Sequence, residues 1–178
     1  MKKLSISLFS IFLVACSTPA SPLPINNINM QITSSAFQHN GSMPSQYTCD
    51  GKSINPPLIF SNIPKEAKSL TMIMEDPDVP KHIRPDSMWN HWIVWNMPIT
   101  TGIPEDSIPD GVVGKNTSEF YGYAGACPPD REHRYFFKLY ALDTMLNLDP
   151  TATKEDLLQA MEGHILDSAE LIGRYERS

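Results

Sequence analysis

The chain has 178 residues, a hydrophobic content of 41% and a formal net charge of −6 at pH 7. This length and apolar content suit one domain with a substantial core and leave little room for a second domain. The acidic balance argues against nucleic-acid binding and against electrostatic attraction to anionic lipid.

The N-terminal residues have the pattern of a secretion signal. Lys2 and Lys3 precede a nearly apolar run over residues 4–15, which is too short to span a bilayer comfortably. Cys16 follows at once, and the ending "LVAC" resembles a bacterial lipoprotein box in which this cysteine becomes the lipidated first residue. An ordinary signal peptide that is cut nearby is the alternative. Removal of residues 1–15 leaves 14 − 2 = 12 basic residues against 20 acidic ones, a net charge of −8.

We therefore expect a signal peptide at residues 1–15, a lipidated tether at 16–27 and a folded domain at 28–178. The tether is rich in proline, serine and asparagine and has little to bury. Lipid on Cys16 would hold the protein in the bacterial cell envelope, facing the periplasm or the cell surface. Ser17 favours the outer membrane over the inner one, by analogy with known lipoproteins.

Short apolar or alternating runs, separated by proline and glycine, predict a β-rich domain. Residues 28–32 alternate, residues 69–75 and 91–97 are apolar on both faces, and residues 134–142 are rich in aromatic side chains. The runs that are apolar on both faces are expected in the middle of a sheet or sandwich. Sixteen prolines and nine glycines argue against a helical bundle.

One helix is predicted near the C-terminal end, with Thr153 as its cap and Asp156 three residues later. Its apolar face is predicted to contain Leu157, Leu158, Met161, Ile165 and Ile172. Gly163 disfavours a helix at its position, but it does not exclude the predicted helix. The expected fold is mainly β, with a helix or two packed at its side.

Two polar stretches each lead into an apolar strand. In the first, Asp76 and Asp78 flank Pro77 after a strand, and His91 opens the next strand. Proline restricts this loop, so it suits a site that is formed before its ligand arrives. A proline turn whose aspartates bond their own backbone, followed by an ordinary strand histidine, is the alternative.

The second stretch, "YGYAGACPPDREHRY", ends with His133 and Tyr135, which share one strand face because they are two residues apart. Gly122 and Gly125 could let backbone N–H groups point at an anion, although a purely structural loop is the alternative. If the two strands are near neighbours, both stretches would line one small pocket with carboxylates, imidazoles and aromatic rings.

The sequence lacks the motifs of several enzyme classes, including G-x-S-x-G, H-E-x-x-H and the P-loop. Cys127 and His133 could form a nucleophilic pair, but a disulfide between Cys127 and Cys49 would remove the thiolate. An even pair of cysteines in an oxidising compartment suggests that disulfide, although sequence alone does not show that the two meet. A metal site is conceivable from the aspartates and histidines, but no dense His/Cys spacing supports it. We expect no metal and no cofactor.

Several blocks together resemble the phosphatidylethanolamine-binding proteins, also called the Raf kinase inhibitor family. These blocks are "DPDVP", "WNHW" and "ACPPDREHRYFFKLYALD", in that order and spacing. "YTCDGKSINPPLIFSNIP" and the ending "AMEGHILDSAELIGRYER" look most like the bacterial YbhB/YbcL branch. The resemblance extends over residues 28–177.

This resemblance implies a sandwich of antiparallel β-sheets with flanking helices and a small pocket for phosphate-like anions. Its ligand-binding residues would be Asp76, Asp78, Trp89 and His91 on one wall, and Gly125, His133 and Tyr135 on the other. Imidazole and backbone N–H groups would donate to phosphate oxygens. Asp76 would orient a histidine or receive an ammonium group, and no bond need be broken.

The sequence departs from the animal members at three places. Cys127 replaces a glycine, residues 129–133 form a shorter segment, and Asp86 stands where a pocket tyrosine is expected. An extra carboxylate near the mouth would oppose an anion. A Cys49–Cys127 disulfide would hold the loop that carries half of the pocket.

Three functions follow from this reading. The first is a non-enzymatic binding module for a phospholipid head group, nucleotide or phosphorylated side chain. The second is an inhibitor that acts on a kinase or protease through its protein surface. The third is a phosphoester hydrolase or lyase that uses Asp76, His91 and His133.

Overall fold

The computed structural model describes residues 29–177, which form nine β-strands, one α-helix and a short 3-10 turn. The predicted signal peptide, the tether and Cys16 lie outside the described residues. The strands are β1 (Gln31–Thr33), β2 (Gly41–Ser42), β3 (Leu58–Ser61), β4 (Ser69–Asp76), β5 (Trp89–Met97), β6 (Gly102–Ile103), β7 (Val112–Val113), β8 (His133–Leu142) and β9 (Ile165–Tyr175). The turn is Ser45–Tyr47, and the helix α1 is Lys154–Met161.

The strands form two sheets. The smaller sheet has the order β1-β3-β6, and the larger has the order β2-β9-β8-β4-β5-β7. All neighbours are antiparallel, as predicted, except β2 and β9, which pair in parallel at one edge of the larger sheet. The reason is the connection after β1, which brings the chain to the far edge of the larger sheet in the direction of β9.

The core has two layers, one on each face of the larger sheet. Met72 and Met74 of β4 belong to the layer that also contains Phe60 of the smaller sheet. Ile73 belongs to the other layer, together with Leu157 of α1. Every residue of β4 is buried, because the strand is central and both of its faces are covered. The prediction of central strands from doubly apolar runs is confirmed.

The predicted C-terminal helix is shorter than expected. Thr153 and Asp156 form the predicted capping box, but α1 ends at Met161, and Gly163 follows with a positive φ of 77°. Ile165 and Ile172 lie in β9 and pair with β8, so their assignment to the helix is wrong. Strand β9 pairs with β8 at ten register positions. This pairing outweighs the weak helical spacing of the apolar residues in the segment.

A buried ion cluster attaches α1 to the larger sheet. Glu75 of β4 accepts hydrogen bonds from Lys138 of β8, at 2.6 Å, and from Lys154 of α1. Burial raises the pKa of Glu75, but the hydrogen bonds from Lys138 and Lys154 outweigh burial and leave the pKa below its usual value.

None of the helices in residues 29–177 is long and apolar enough to cross a membrane.

Candidate functional site

A cavity of about 320 Å³ opens where β4 ends and β5 begins, and we call it the His91 cavity. It is lined by Asp76, Val79, Ile83, Trp89, His91, Ser118, Ala124, Gly125, Cys127 and Pro129. Asp76, Trp89, His91 and Gly125 are therefore four predicted site residues that the fold brings together. The other three, Asp78, His133 and Tyr135, lie outside the lining.

Asp76 is the link between the turn after β4 and strand β8. One of its oxygens accepts the backbone N–H of Asp78 at 2.8 Å, as expected for an aspartate that closes a turn. The other lies 2.7 Å from Nδ1 of His133. Burial raises the pKa of Asp76, while the hydrogen bonds from His133 and Asp78 oppose this effect. The turn interpretation and the histidine-orienting interpretation of Asp76 are thus both correct.

His133 is fully buried between two carboxylates. Its Nδ1 faces Asp76, and its Nε2 lies 2.9 Å from Oδ1 of Asp130, a residue that is 43% exposed. Ionised carboxylates only accept hydrogen bonds, so both contacts form together when both ring nitrogens carry hydrogen. The hydrogen bond from His133 lowers the pKa of Asp130. The ring nitrogen that was expected to donate to a ligand is therefore bonded to the chain's own carboxylate.

Asp78 braces the loop against β8. It accepts two hydrogen bonds from the Arg134 guanidinium, at 2.8 and 2.7 Å, and one from the Arg134 backbone at 3.0 Å. These contacts hold the pKa of Asp78 below its usual value. A bidentate arginine pair of this kind fixes geometry as well as charge. In this arrangement Asp78 positions the loop and does not reach the cavity.

His91 presents one ring nitrogen to the protein and leaves the other unengaged. Nδ1 lies 2.9 Å from the carbonyl oxygen of Ala124. Within residues 29–177 this is the ring's one hydrogen bond. Burial lowers the pKa of His91 to about 4, the Ala124 carbonyl opposes that effect, and the charge of His133 adds to it.

Tyr135 packs beside His91, with their ring centroids 5.2 Å apart in an edge-to-face arrangement. The residue is fully buried, and its hydroxyl has no hydrogen-bond partner among the described residues. Burial raises the pKa of this phenol, and the nearby charge of Asp76 raises it further. The hydroxyl thus stays protonated, and it lies outside the lining of the cavity.

The loop at residues 124–129 forms the opposite wall, and it is held to the segment after the 3-10 turn. The predicted disulfide is present, with Cys49 and Cys127 joined and their Cα atoms 5.3 Å apart. The backbone N–H of Gly125 donates to Oγ of Ser53 at 2.9 Å, so it does not point at an anion as predicted. A Cβ at position 125 would lie 2.8 Å from the carbonyl carbon of Thr48, which explains the glycine by close packing.

A comparison with known families agrees with this geometry. The model of the phosphatidylethanolamine-binding protein family matches residues 33–176. The chain belongs to this family. The resemblance inferred from the sequence is confirmed, and so is the mainly β fold with two packed sheets.

Similar proteins and solved structures cover most of the chain. A UPF0098 protein of Chlamydia muridarum is 52% identical over 149 residues, which are 83% of this chain and 99% of the relative. A homolog of the phosphatidylethanolamine-binding protein from Chlamydia trachomatis has a TM-score of 0.82 at 48% identity, covering 84% of this chain and 99% of its own. YbcL of E. coli, described as a member of the mammalian family, has a TM-score of 0.75 at 29% identity, covering 84% and 99%.

The position of Asp86 differs from the one expected by comparison with animal family members. It lies on the surface, paired with Arg84 at 2.9 Å, and it is absent from the cavity lining. The hydrogen bond from Arg84 lowers the pKa of Asp86. The carboxylate expected at the mouth is therefore neutralised by a neighbour outside the lining.

The described residues contain no group of histidines, cysteines and carboxylates arranged to hold a metal ion.

Several residues of the site were not predicted. Val79, Ile83 and Pro129 make much of the lining apolar, and Asp130 completes the hydrogen bonding of His133. Asp130 stands three residues before His133 in a block that was recognised, so a search for acidic partners of that histidine would have found it. Ser53 is remote in sequence, and nothing local indicates its contact with Gly125.

Proposed function

We propose that this family member is a non-enzymatic binding module whose His91 cavity accepts a small phosphate-bearing group. A phospholipid head group, a nucleotide phosphate and a phosphorylated side chain share that chemistry. The observation that carries the proposal is the cavity lining, which brings together Asp76, Trp89, His91 and Gly125 of the family motifs. The side chains of Trp89 and Ser118 add hydrogen-bond donors to this lining, and phosphate oxygens accept hydrogen bonds.

The hydrogen bonding of the titratable residues supports binding over catalysis. Both ring nitrogens of His133 contact carboxylates, and Cys127 is held in a disulfide. His91 has an unengaged nitrogen, but its pKa of about 4 makes it a weak base at neutral pH. General bases work best when their pKa lies near the operating pH.

Calorimetric titration with phosphoethanolamine at pH 6 tests the proposal. We expect saturable binding by the wild type and roughly tenfold weaker binding by His91→Ala, because a ring of the cavity lining and its polar contact are lost. His164→Ala is the matched control, since His164 is half-exposed and contacts Asp143 outside the cavity lining. Unsaturable binding by the wild type, or equal affinity in all three proteins, would contradict the proposal.

We also propose that lipid on Cys16 anchors the protein in the bacterial envelope, with the outer membrane favoured. The signal-like pattern of residues 1–15 supports this proposal. The proposed signal and tether lie outside residues 33–176, which the family model matches.

A further inference from the structure

Ser118 lines the His91 cavity from the segment of residues 115–122, between β7 and β8, which we call the Ser118 loop. The residue is exposed. Within residues 29–177 its backbone N–H makes a hydrogen bond to Asn116, and its hydroxyl has no partner. A serine hydroxyl has one hydrogen to donate and two lone pairs that accept. The cavity lining therefore contains a free hydroxyl that none of the predicted site residues supplies.

The Ser118 loop is closed by hydrogen bonds between its two ends. Lys115 and Tyr121 form an antiparallel bridge. The backbone N–H of Asn116 donates to the carbonyl oxygen of Phe120 at 2.9 Å. These contacts order the loop before a ligand arrives, which lowers the entropy cost of binding.

The side chain of Asn116 organises the loop from within, and this residue is only 3% exposed. Its Oδ1 accepts the backbone N–H groups of Ser118 at 2.9 Å and of Phe120 at 3.2 Å. Its amide nitrogen donates to the carbonyl oxygen of Gly122 at 3.2 Å and lies 3.5 Å from that of His91. Asparagine side chains commonly fix turns by bonding the backbone two residues later. Asn116 thus fixes the backbone that carries the Ser118 hydroxyl.

Thr117 attaches the loop to β5. Its backbone N–H donates to the carbonyl oxygen of Asn90 at 2.9 Å, and its Oγ1 accepts the backbone N–H of Asn90 at 2.9 Å. Asn90 stands between Trp89 and His91, which both line the cavity. Because Ser118 directly follows Thr117, its backbone is held at a fixed place relative to these two rings.

We propose that Ser118 is a further ligand-binding residue of the His91 cavity, whose hydroxyl donates a hydrogen bond to a phosphoryl oxygen, and that Asn116 positions it. This inference rests on the proposed function, because it names a donor that the cavity provides for the phosphate group. An ionised phosphoryl oxygen only accepts hydrogen bonds, and bonds to charged oxygens are stronger than bonds between neutral groups. Phosphate monoesters and diesters both offer such oxygens, so the hydroxyl serves either class.

Calorimetric titration of Ser118→Ala with methyl phosphate and with phosphoethanolamine at pH 6 tests the role of the hydroxyl. We expect roughly tenfold weaker binding of both probes, because a hydrogen bond to a charged oxygen is removed. Ser118→Thr keeps a hydroxyl and should bind within about threefold of the wild type. Ser61→Ala is the matched control, since Ser61 is exposed on β3 of the smaller sheet, and its affinity should equal that of the wild type.

A double-mutant cycle tests whether Asn116 acts through Ser118. Asn116→Ala should weaken the binding of methyl phosphate about fivefold in the wild-type background, but less than about twofold when Ser118→Ala is already present. A general loss of stability would weaken binding by the same factor in both backgrounds. Equal factors in the two backgrounds would therefore overturn the positioning role of Asn116.

The outcomes separate this inference from the proposed function. Equal affinity of the wild type and Ser118→Ala for methyl phosphate overturns the inference and leaves the proposed function intact. A loss seen with phosphoethanolamine alone also overturns it, because the hydroxyl would then serve the ammonium group. An equal loss in Ser61→Ala overturns it as well, since the effect would not depend on the cavity. If the wild type binds neither probe, the inference and the proposed function both fail.

Discussion

Asp130 is the exposed member of the carboxylate pair that encloses His133, and it also contacts Arg131 at 2.8 Å. The guanidinium of Arg131 and one ring nitrogen of His133 are therefore occupied by a carboxylate of the chain itself. Asp130 directly follows Pro129 of the cavity lining, and it contacts the same histidine as Asp76. We expect its negative charge to oppose a phosphate in the cavity.

Replacement of Asp130 should therefore improve phosphate binding. Asp130→Asn keeps the shape of the side chain and removes its charge, which is worth about 1 kcal/mol for a partly screened neighbour, or roughly fivefold in affinity. Calorimetric titration with methyl phosphate at pH 5.5 measures the change. Asp110→Asn removes the same charge beside Met97, at the far end of β5, and should leave affinity unchanged. Equal affinity in the two variants would show that Asp130 does not oppose the ligand.

At the scale of single residues, the sequence could predict several of the side chains that line the cavity, but not the hydrogen bonds that each one makes. Asp76, Trp89, His91 and Gly125 line the cavity, in agreement with the family motifs. The use of the Gly125 N–H was misread, because its partner Ser53 lies 72 residues away and belongs to no shared motif. Hydrogen-bond direction depends on distant neighbours that local patterns do not contain.

The attachment of α1 to the larger sheet depends on Glu75. Glu75→Gln would leave Lys138 and Lys154 without their shared carboxylate, and Lys154 is only 12% exposed. We expect the free energy of unfolding to fall by about 2–3 kcal/mol in urea denaturation at pH 7, because an unpaired buried charge is costly. Glu66→Gln is the control, since Glu66 is exposed. A loss of similar size in Glu66→Gln would contradict the role of the cluster.

The same cluster makes part of the stability depend on pH. The pKa of Glu75 is lower in the folded protein than its ordinary value of 4.5, so this residue stabilises the fold above that value. The contribution is lost as pH falls through the folded pKa, when the carboxylate takes up a proton. The difference between wild type and Glu75→Gln should thus be largest at neutral pH and shrink below about pH 4.

At the scale of elements, central strands were easier to predict than the C-terminal segment. Strands β4 and β5 are covered on both faces, so continuous apolar runs identified them. Residues 165–175 carry isoleucines at positions compatible with a helix, yet they pair along β8. A short segment whose sequence fits both a helix and a strand adopts the structure for which a packing or pairing partner is available. That partner lies elsewhere in the chain, so the sequence of the segment alone does not reveal it.

The disulfide contributes to the stability of the whole molecule. Cys49 and Cys127 are separated by 78 residues, and closing a loop of this length stabilises a fold by roughly 4 kcal/mol in the chain-entropy account. We expect the Cys49→Ser, Cys127→Ser double variant to lose about 2–4 kcal/mol of unfolding free energy in urea. Wild-type protein that is unfolded in urea with a reductant present should show the same loss of unfolding free energy. An unchanged midpoint in both experiments would show that the backbone contacts of this loop suffice alone.

The proposed attachment to the envelope is also a property of the whole chain. If Cys16 is lipidated, labelled palmitate should be incorporated by wild-type cells, and the protein should fractionate with membranes. Cys16→Ser should abolish both. The Cys49→Ser, Cys127→Ser double variant retains Cys16 and should still be labelled, which separates lipidation from disulfide formation. Labelling that persists in Cys16→Ser would contradict the anchor.

The hydrogen bonds that shape the His91 cavity connect distant parts of the chain. Asp76 and His133 are 57 residues apart, and His91 and Ala124 are 33 residues apart. Contacts between distant residues form late, because the intervening loops must be closed first. The cavity cannot be assembled before β4, β5 and β8 have come together, so a folding intermediate without these strands has no binding site. If the chain is exported and binds a ligand as proposed, binding would thus follow only after folding is nearly complete.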